Sequence, residues 1–164
     1  MCGIAGCLGR RDVSSINQML DAMTHRGPDD RGIHVHRDSV FGHTRLSIVD
    51  VSGGHQPILA DGGRAGIICN GEIYNFLELR EKLMPRYPFK TNSDSEVALH
   101  LYSEKGPECV RELDGMFALA IFAAEDYLLA RDPLGIKPLY YGYVADKLYF
   151  ASELSAMSDR KSVV

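Results

Sequence analysis

The chain has 164 residues, 45% of them hydrophobic and 24% charged, which is enough apolar material for one core and points to one soluble globular domain over 1–164. A formal net charge of −4, a pI near 5.8 and the lack of any lysine-arginine run argue against a nucleic-acid surface. No apolar stretch is long enough to span a bilayer and the N-terminus lacks the regions of a signal peptide, so the expectation is a cytoplasmic protein with no membrane partner.

In chain order, 3–8 reads as a short buried strand. Ile16, Met19, Leu20 and Met23 recur at helical spacing and predict a helix over 13–25, capped by Asp12. Arg26-Gly27-Pro28-Asp29-Asp30 is a turn, followed by strands over 32–36 and 40–49. A loop bearing Gly and Pro then runs to about Gly63, and 65–70 is another buried strand. Asn75 with Glu78 resembles a capping pair for a helix reaching Met84, and Ser93-Asp94-Ser95-Glu96 reads as a fuller capping box for a helix ending at Lys105, stopped by Gly106-Pro107. From Gly115 the pattern turns to strands over 116–123, 127–131, 139–143 and 147–151.

Runs such as Phe117-Ala118-Leu119-Ala120-Ile121-Phe122 are continuous rather than alternating, which calls for strands buried on both faces. Two sheets packed face to face and covered outside by helices satisfy that pattern; a three-layer α/β domain is the simpler rival. The cysteines Cys2, Cys7, Cys69 and Cys109 form no C-x-x-C pair, and Cys7 and Cys69 sit in strand-like apolar runs where a small buried hydrophobe is the default. His34, His36, His43 and His55 lack zinc spacing, so no metal site is expected.

Cys2 is the most informative residue. Removal of Met1 would leave a thiol and a free α-amine on one residue, a nucleophile beside a base whose ordinary pKa lies near 8. Asn70-Gly71 offers a side-chain amide and a backbone N–H that could meet an oxyanion, although Asn-Gly alone is also the strongest hairpin dipeptide. Arg45 supplies a planar fork suited to a carboxylate. Asp94 could cap a helix, but with Ser93 and Glu96 read as the capping box its carboxylate is left for a cation. Arg26 and Asp29 are expected to shape the loop near Cys2, and the Arg131-to-Tyr140 segment to support the site through a rigid Pro-Gly turn.

Taken together, Cys2, His25-Arg26-Gly27-Pro28-Asp29, His43-Thr44-Arg45-Leu46-Ser47-Ile48-Val49, Asn70-Gly71-Glu72-Ile73-Tyr74-Asn75, Ser93-Asp94-Ser95-Glu96 and Arg131-Asp132-Pro133-Leu134-Gly135-Ile136-Lys137-Pro138-Leu139-Tyr140 closely resemble the class II glutamine amidotransferase domain, in its asparagine synthetase branch. The resemblance runs from Cys2 to about Ser155. It implies an α+β fold, the four-layer αββα sandwich of N-terminal-nucleophile hydrolases, and hydrolysis of L-glutamine to glutamate and ammonia through a thioester on Cys2. It implies an oxyanion hole at Asn70 and Gly71, an Arg45 that binds the substrate carboxylate, backbone contacts from Leu46, Ser47, Ile48 and Val49, and contacts from Glu72 and Asp94, the latter to the ammonium.

The family's synthetase domain is absent from this sequence, and ATP and Mg²⁺ are expected only there. Ser52-Gly53-Gly54 imitates the start of a pyrophosphate loop, but continues His55-Gln56-Pro57 and precedes no helix, so it predicts no ATP site. The implied partners are L-glutamine and a synthetase domain or chain that receives ammonia. Two alternatives stay open: a non-catalytic glutamine-binding or scaffolding module if Met1 is retained, and the glutaminase half of an amidotransferase with another acceptor.

Overall fold

The computed structural model describes residues 1–47, 50 and 53–158. The order is β1 (Gly3–Leu8), α1 (Val13–Ala22), β2 (Asp30–His36), β3 (Ser39–Arg45), β4 (Ile58–Ala60), β5 (Ala65–Ile73), α2 (Phe76–Leu83), α3 (Ser95–Lys105), β6 (Gly115–Ala123), β7 (Asp126–Arg131), β8 (Tyr140–Val144), β9 (Lys147–Ala151) and α4 (Ser155–Ser158). The strands make two antiparallel sheets, ordered β2-β3-β1-β9-β8 and β4-β5-β6-β7.

The continuous apolar run in β6 has its reason here, because a strand sends successive side chains to opposite faces and both faces are covered. Phe117, Leu119 and Ile121 join Leu79 and Leu83 of α2 and Val97, Ala98 and Leu101 of α3 in one core. Ala118, Ala120 and Phe122 face the other sheet and pack with Ile4, Phe41, Ile68 and Phe150. A third core lies outside the five-stranded sheet, where Ile16, Met19 and Leu20 of α1 and Met157 of α4 cover Ala5, Cys7 and Tyr149. The layers are therefore helix, sheet, sheet, helix, and the three-layer rival is excluded.

Asp12 caps α1 as its sequence position suggests, accepting from the Ser15 N–H at 3.1 Å. The helix stops at Ala22, short of His25. The Thr24 hydroxyl bonds back to the Asp21 carbonyl, and Thr24–Arg26 tightens into a 3-10 turn before Gly27. β3 ends at Arg45 rather than Val49, whose position lies outside the described residues, and β4 is a short edge strand inside the stretch read as loop.

Both expected capping arrangements are corrected. Asn75 occupies the N-cap of α2 but makes no capping bond, because its amide bridges away to the Glu112 carbonyl at 2.8 Å and the Asp114 N–H at 3.1 Å. Glu78 pairs instead with Lys82 one turn on. At α3 the N-cap is Asp94, with no side-chain capping bond. Glu96, 1% exposed, accepts from the Lys90 N–H, the Thr91 N–H and the Thr91 hydroxyl, at 2.8, 2.8 and 2.6 Å. A buried carboxylate takes the donors nearest to it, and here the preceding loop supplies three.

Candidate active site

Cys2 sits just before β1, whose pairing with β3 brings Gly3 opposite Thr44 and so sets the thiol beside the chain leaving β3. The Leu46 N–H points at Cys2 Sγ across 3.4 Å, with the Leu46 carbonyl 3.7 Å away. Arg26, buried in the 3-10 turn, donates through Nε to the Cys2 carbonyl at 2.9 Å and through Nη1 to Glu153 at 2.9 Å. Asp29 accepts from the Ser47 N–H at 2.8 Å, while its own N–H donates to the Arg45 carbonyl at 3.0 Å. The His25-to-Asp29 segment thus braces both chain ends that flank the thiol.

A cavity of about 290 Å³ opens beside Cys2, and Arg45, Leu46, Asn70, Gly71, Glu72 and Asp94 all line it. Asn70-Gly71 is not a hairpin: both residues lie inside β5, paired with Ala118 and Phe117 of β6. Gly71 is needed there because a Cβ would be driven into the Met116 carbonyl and the Phe117 backbone. Asn70 is 1% exposed, and its Nδ2 has no hydrogen-bond partner among the described residues. The Nη2 of Arg26 and the Oγ1 of Thr44 are also buried without a partner among the described residues, but neither residue lines the cavity. A buried donor without a partner is rare in native interiors, and the Nδ2 of Asn70, on a residue that lines the cavity, marks a position held ready for a ligand.

Arg45 closes β3, and its Nη2 donates to the Asp50 carbonyl at 2.6 Å, which fixes the guanidinium in the cavity wall. Across from it, Asp94 is 6% exposed and accepts from the Ile73 N–H at 2.7 Å. Burial raises the Asp94 pKa above the ordinary carboxylate value, and the Ile73 N–H offsets this only in part. A cation arriving beside it would complete the compensation. Arginine fork and buried carboxylate, in one small cavity, suit a molecule carrying a carboxylate and an ammonium.

Of the residues singled out from sequence, Ser47 does not line the cavity, its N–H being taken by Asp29. Ile48 and Val49 lie outside the described residues, as does Ser52 of the loop that imitates a pyrophosphate site. The neighbouring Gly54 lines the cavity beside Arg45, so this loop serves as a wall. Sequence reasoning missed Gln56, Cys69, Ser93, Ser95, Met116 and Lys137, all of which line it. Gln56 accepts from the Cys69 N–H at 2.6 Å and ties the loop to β5. Burial raises the pKa of the Cys69 thiol far above its ordinary value, leaving it inert.

His43 is fully buried and its pKa is lowered to about 4 by that burial, so the neutral ring donates from Nε2 to the Cys69 carbonyl at 3.0 Å. Among the described residues no three His, Cys, Asp or Glu side chains are grouped to hold a metal ion, and no helix is long and apolar enough to cross a membrane.

Residues 1–164 match a family model described as a glutamine amidotransferase domain. The glutamine-hydrolysing asparagine synthetase B of Escherichia coli is 49% identical over 96% of this chain and 30% of its own length. The glutamine-hydrolysing asparagine synthetase 1 of Bacillus subtilis is 44% identical over 96% of this chain and 26% of its own length. The chain therefore spans less than a third of the length of these relatives. Among solved structures, the glutamine phosphoribosylpyrophosphate amidotransferase of B. subtilis superposes with a TM-score of 0.78 at 21% identity, over 95% of this chain and 43% of that one. The allosteric regulatory enzyme of purine biosynthesis gives 0.82 at 23% identity with the same coverage. At these identities the two structures establish the fold alone, the αββα sandwich described above. A family match along the whole chain, joined to relatives at 44–49% identity over nearly all of it, means that this chain belongs to the glutamine amidotransferase domain family.

Proposed function

We propose that the chain, once Met1 is removed, hydrolyses L-glutamine to L-glutamate and ammonia, as the ammonia-supplying part of an asparagine synthetase-like enzyme. The observation that carries this reading is the meeting of Cys2, the unpartnered amide of Asn70, Arg45 and Asp94 around one cavity. Arg45 takes the α-carboxylate of glutamine and Asp94 its α-ammonium, with Glu72 as a further polar contact, so the side-chain amide is directed at Cys2. The α-amine of Cys2 accepts the thiol proton as Sγ bonds to the amide carbon. The resulting oxyanion is held by Asn70 Nδ2 and the Gly71 N–H. Collapse of the tetrahedral adduct breaks the C–N bond, and the proton held by the amine leaves with ammonia. Water then adds to the γ-glutamyl thioester, the amine taking its proton, and the C–S bond breaks to release glutamate and restore the thiol.

None of these steps calls on a metal or cofactor; ATP and Mg²⁺ belong to a synthetase domain outside this sequence, which receives the ammonia and, in the asparagine synthetase reading, passes it to an activated aspartate. The free state of all four cysteines supports a reducing compartment, the cytoplasm. One observation favours a second reading for the unprocessed chain. Met1 lines the cavity, so a chain that retained it would have the Cys2 amine locked in a peptide bond and could act only as a glutamine-binding module. The deciding experiment measures glutamate release from glutamine without ATP by protein of verified intact mass. Processed wild type is expected to release glutamate and Cys2→Ala to release none; undiminished release by Cys2→Ala overturns the proposal.

A further inference from the structure

Lys137 is the cavity residue for which glutamine leaves no obvious task. It is 7% exposed and lines the cavity with Cys2, yet its Nζ meets only the Met1 thioether, at 3.7 Å, and no carboxylate of the described residues lies within ion-pair distance. A thioether is a weak acceptor, and a buried ammonium without an anion is costly. The fold nevertheless holds it firmly. The carboxylate of Asp132 accepts from the N–H groups of Leu134, Ile136 and Lys137 at 3.1, 2.9 and 3.0 Å, and Gly135 takes the left-handed turn at φ 66°. The Asp132 N–H in turn donates to the carbonyl of Phe117, the residue paired with Gly71. The ammonium is thereby fixed relative to Asn70-Gly71 through one strand register and one loop.

Glutamine carries a single anion, which Arg45 accounts for, so a second cation in the cavity needs another purpose. The contact sets Nζ against the side chain of the first residue, in the cavity that Cys2 also lines. Removal of Met1 takes the thioether away and leaves the α-amine of Cys2 as the end of the chain in the same cavity. An α-amine with its ordinary pKa near 8 is mostly protonated at neutral pH and cannot take the thiol proton. A nearby fixed cation disfavours that protonated form and favours a thiolate. The groups able to influence the amine come from every wall: the Cys2 thiol, Arg45 on β3, Cys69 and Glu72 on β5, Asp94 at the head of α3, and Lys137, with Arg26 and Glu153 behind the Cys2 carbonyl. Of the two cationic side chains that line the cavity, Arg45 is engaged by the Asp50 carbonyl and aimed at substrate, whereas Lys137 meets the side chain of the first residue.

We infer that Lys137 is a positioning residue acting through the Cys2 amine: its charge keeps that amine unprotonated near neutral pH and ready to serve as the base. The inference rests on the glutaminase reading given above. The test is the pH dependence of kcat/KM for glutamine hydrolysis, which reports ionisations of the free enzyme, in wild type, Lys137→Met, Lys137→Gln and Lys137→Arg, each with Met1 loss verified by intact mass. The acid limb should move up by about one pH unit or more in the Met and Gln variants and stay in place for Arg. At high pH, where the amine is neutral without help, the Met and Gln variants should approach wild-type rates. Coincident limbs in active variants overturn the inference, and so does loss of activity at every pH in folded, processed Met and Gln variants. Should the Met variant not fold, the Gln and Arg pair decides. A wild type inactive at all pH values would instead refute the glutaminase reading itself.

Discussion

Replacing Asn70 by alanine should separate activity from stability. The Nδ2 of Asn70 is buried with no partner among the described residues, on a side chain 1% exposed. Holding such a donor dry costs about 1–3 kcal/mol, and its removal recovers that cost against a similar loss of packing. The net change in stability should stay within about 1 kcal/mol, or a shift of about 2–4 °C in Tm for a chain of this size. The same donor meets charge that develops only in the transition state, so kcat should fall by about 10²–10³, or roughly 2.7–4 kcal/mol, with a smaller change in glutamine binding. The assays are thermal unfolding and glutamate release at saturating glutamine on processed protein. A large drop in Tm accompanied by equal losses in binding and kcat would refute the reasoning and make Asn70 a structural residue of β5.

The proposed zwitterion contacts can be tested with analogues: Asp94→Asn should lose most of its preference for glutamine over a derivative lacking the α-amino group, and Arg45→Ala its preference for the free α-carboxylate over the methyl ester. Wild-type discrimination by both variants would remove these residues from the substrate site. Glu96 makes a pH prediction. Burial opposes its ionisation, but the His100 ring 3.5 Å away, the Thr91 hydroxyl and the N–H groups of Lys90 and Thr91 overturn that and hold its pKa at about 2. A folded pKa below the unfolded one contributes stability that is present above about pH 4.5 and lost as pH falls towards 2, here on the order of 3 kcal/mol. Urea unfolding of Glu96→Gln should show a deficit against wild type at pH 7 that narrows markedly near pH 3; an equal deficit at both would contradict it.

The cores were legible because their signals are local and periodic. β1, the strands from β5 to β7 and the buried stripe of α1 follow from runs of apolar residues, and the doubling of the sheets follows from β6 being apolar on both faces. Side-chain hydrogen bonds were less legible, since Asn75 and Glu96 each had a local cap available and found nearer donors or acceptors in loops brought up by the fold. β4 escaped notice because three residues at a sheet edge carry too little pattern. Of the residues proposed for the site, Cys2, Arg45, Asn70 and Asp94 stand inside compact motifs, and the fold brings them to one cavity. Lys137 is not legible in this way, because its loop reads as a rigid turn and its place at the cavity depends on the pairing of Arg131 with Ala118 and the bond from the Asp132 N–H to the Phe117 carbonyl.

The central claim is that Cys2, freed of Met1, carries the γ-glutamyl group during turnover. Mixing the processed protein briefly with glutamine, quenching in acid and reading the mass of the N-terminal peptide tests it directly. The account predicts a γ-glutamyl adduct on Cys2 that forms faster than it decays and is absent from Cys7, Cys69 and Cys109. Glutamate release with no adduct on Cys2 under any quench, or with the adduct on another cysteine, would contradict it.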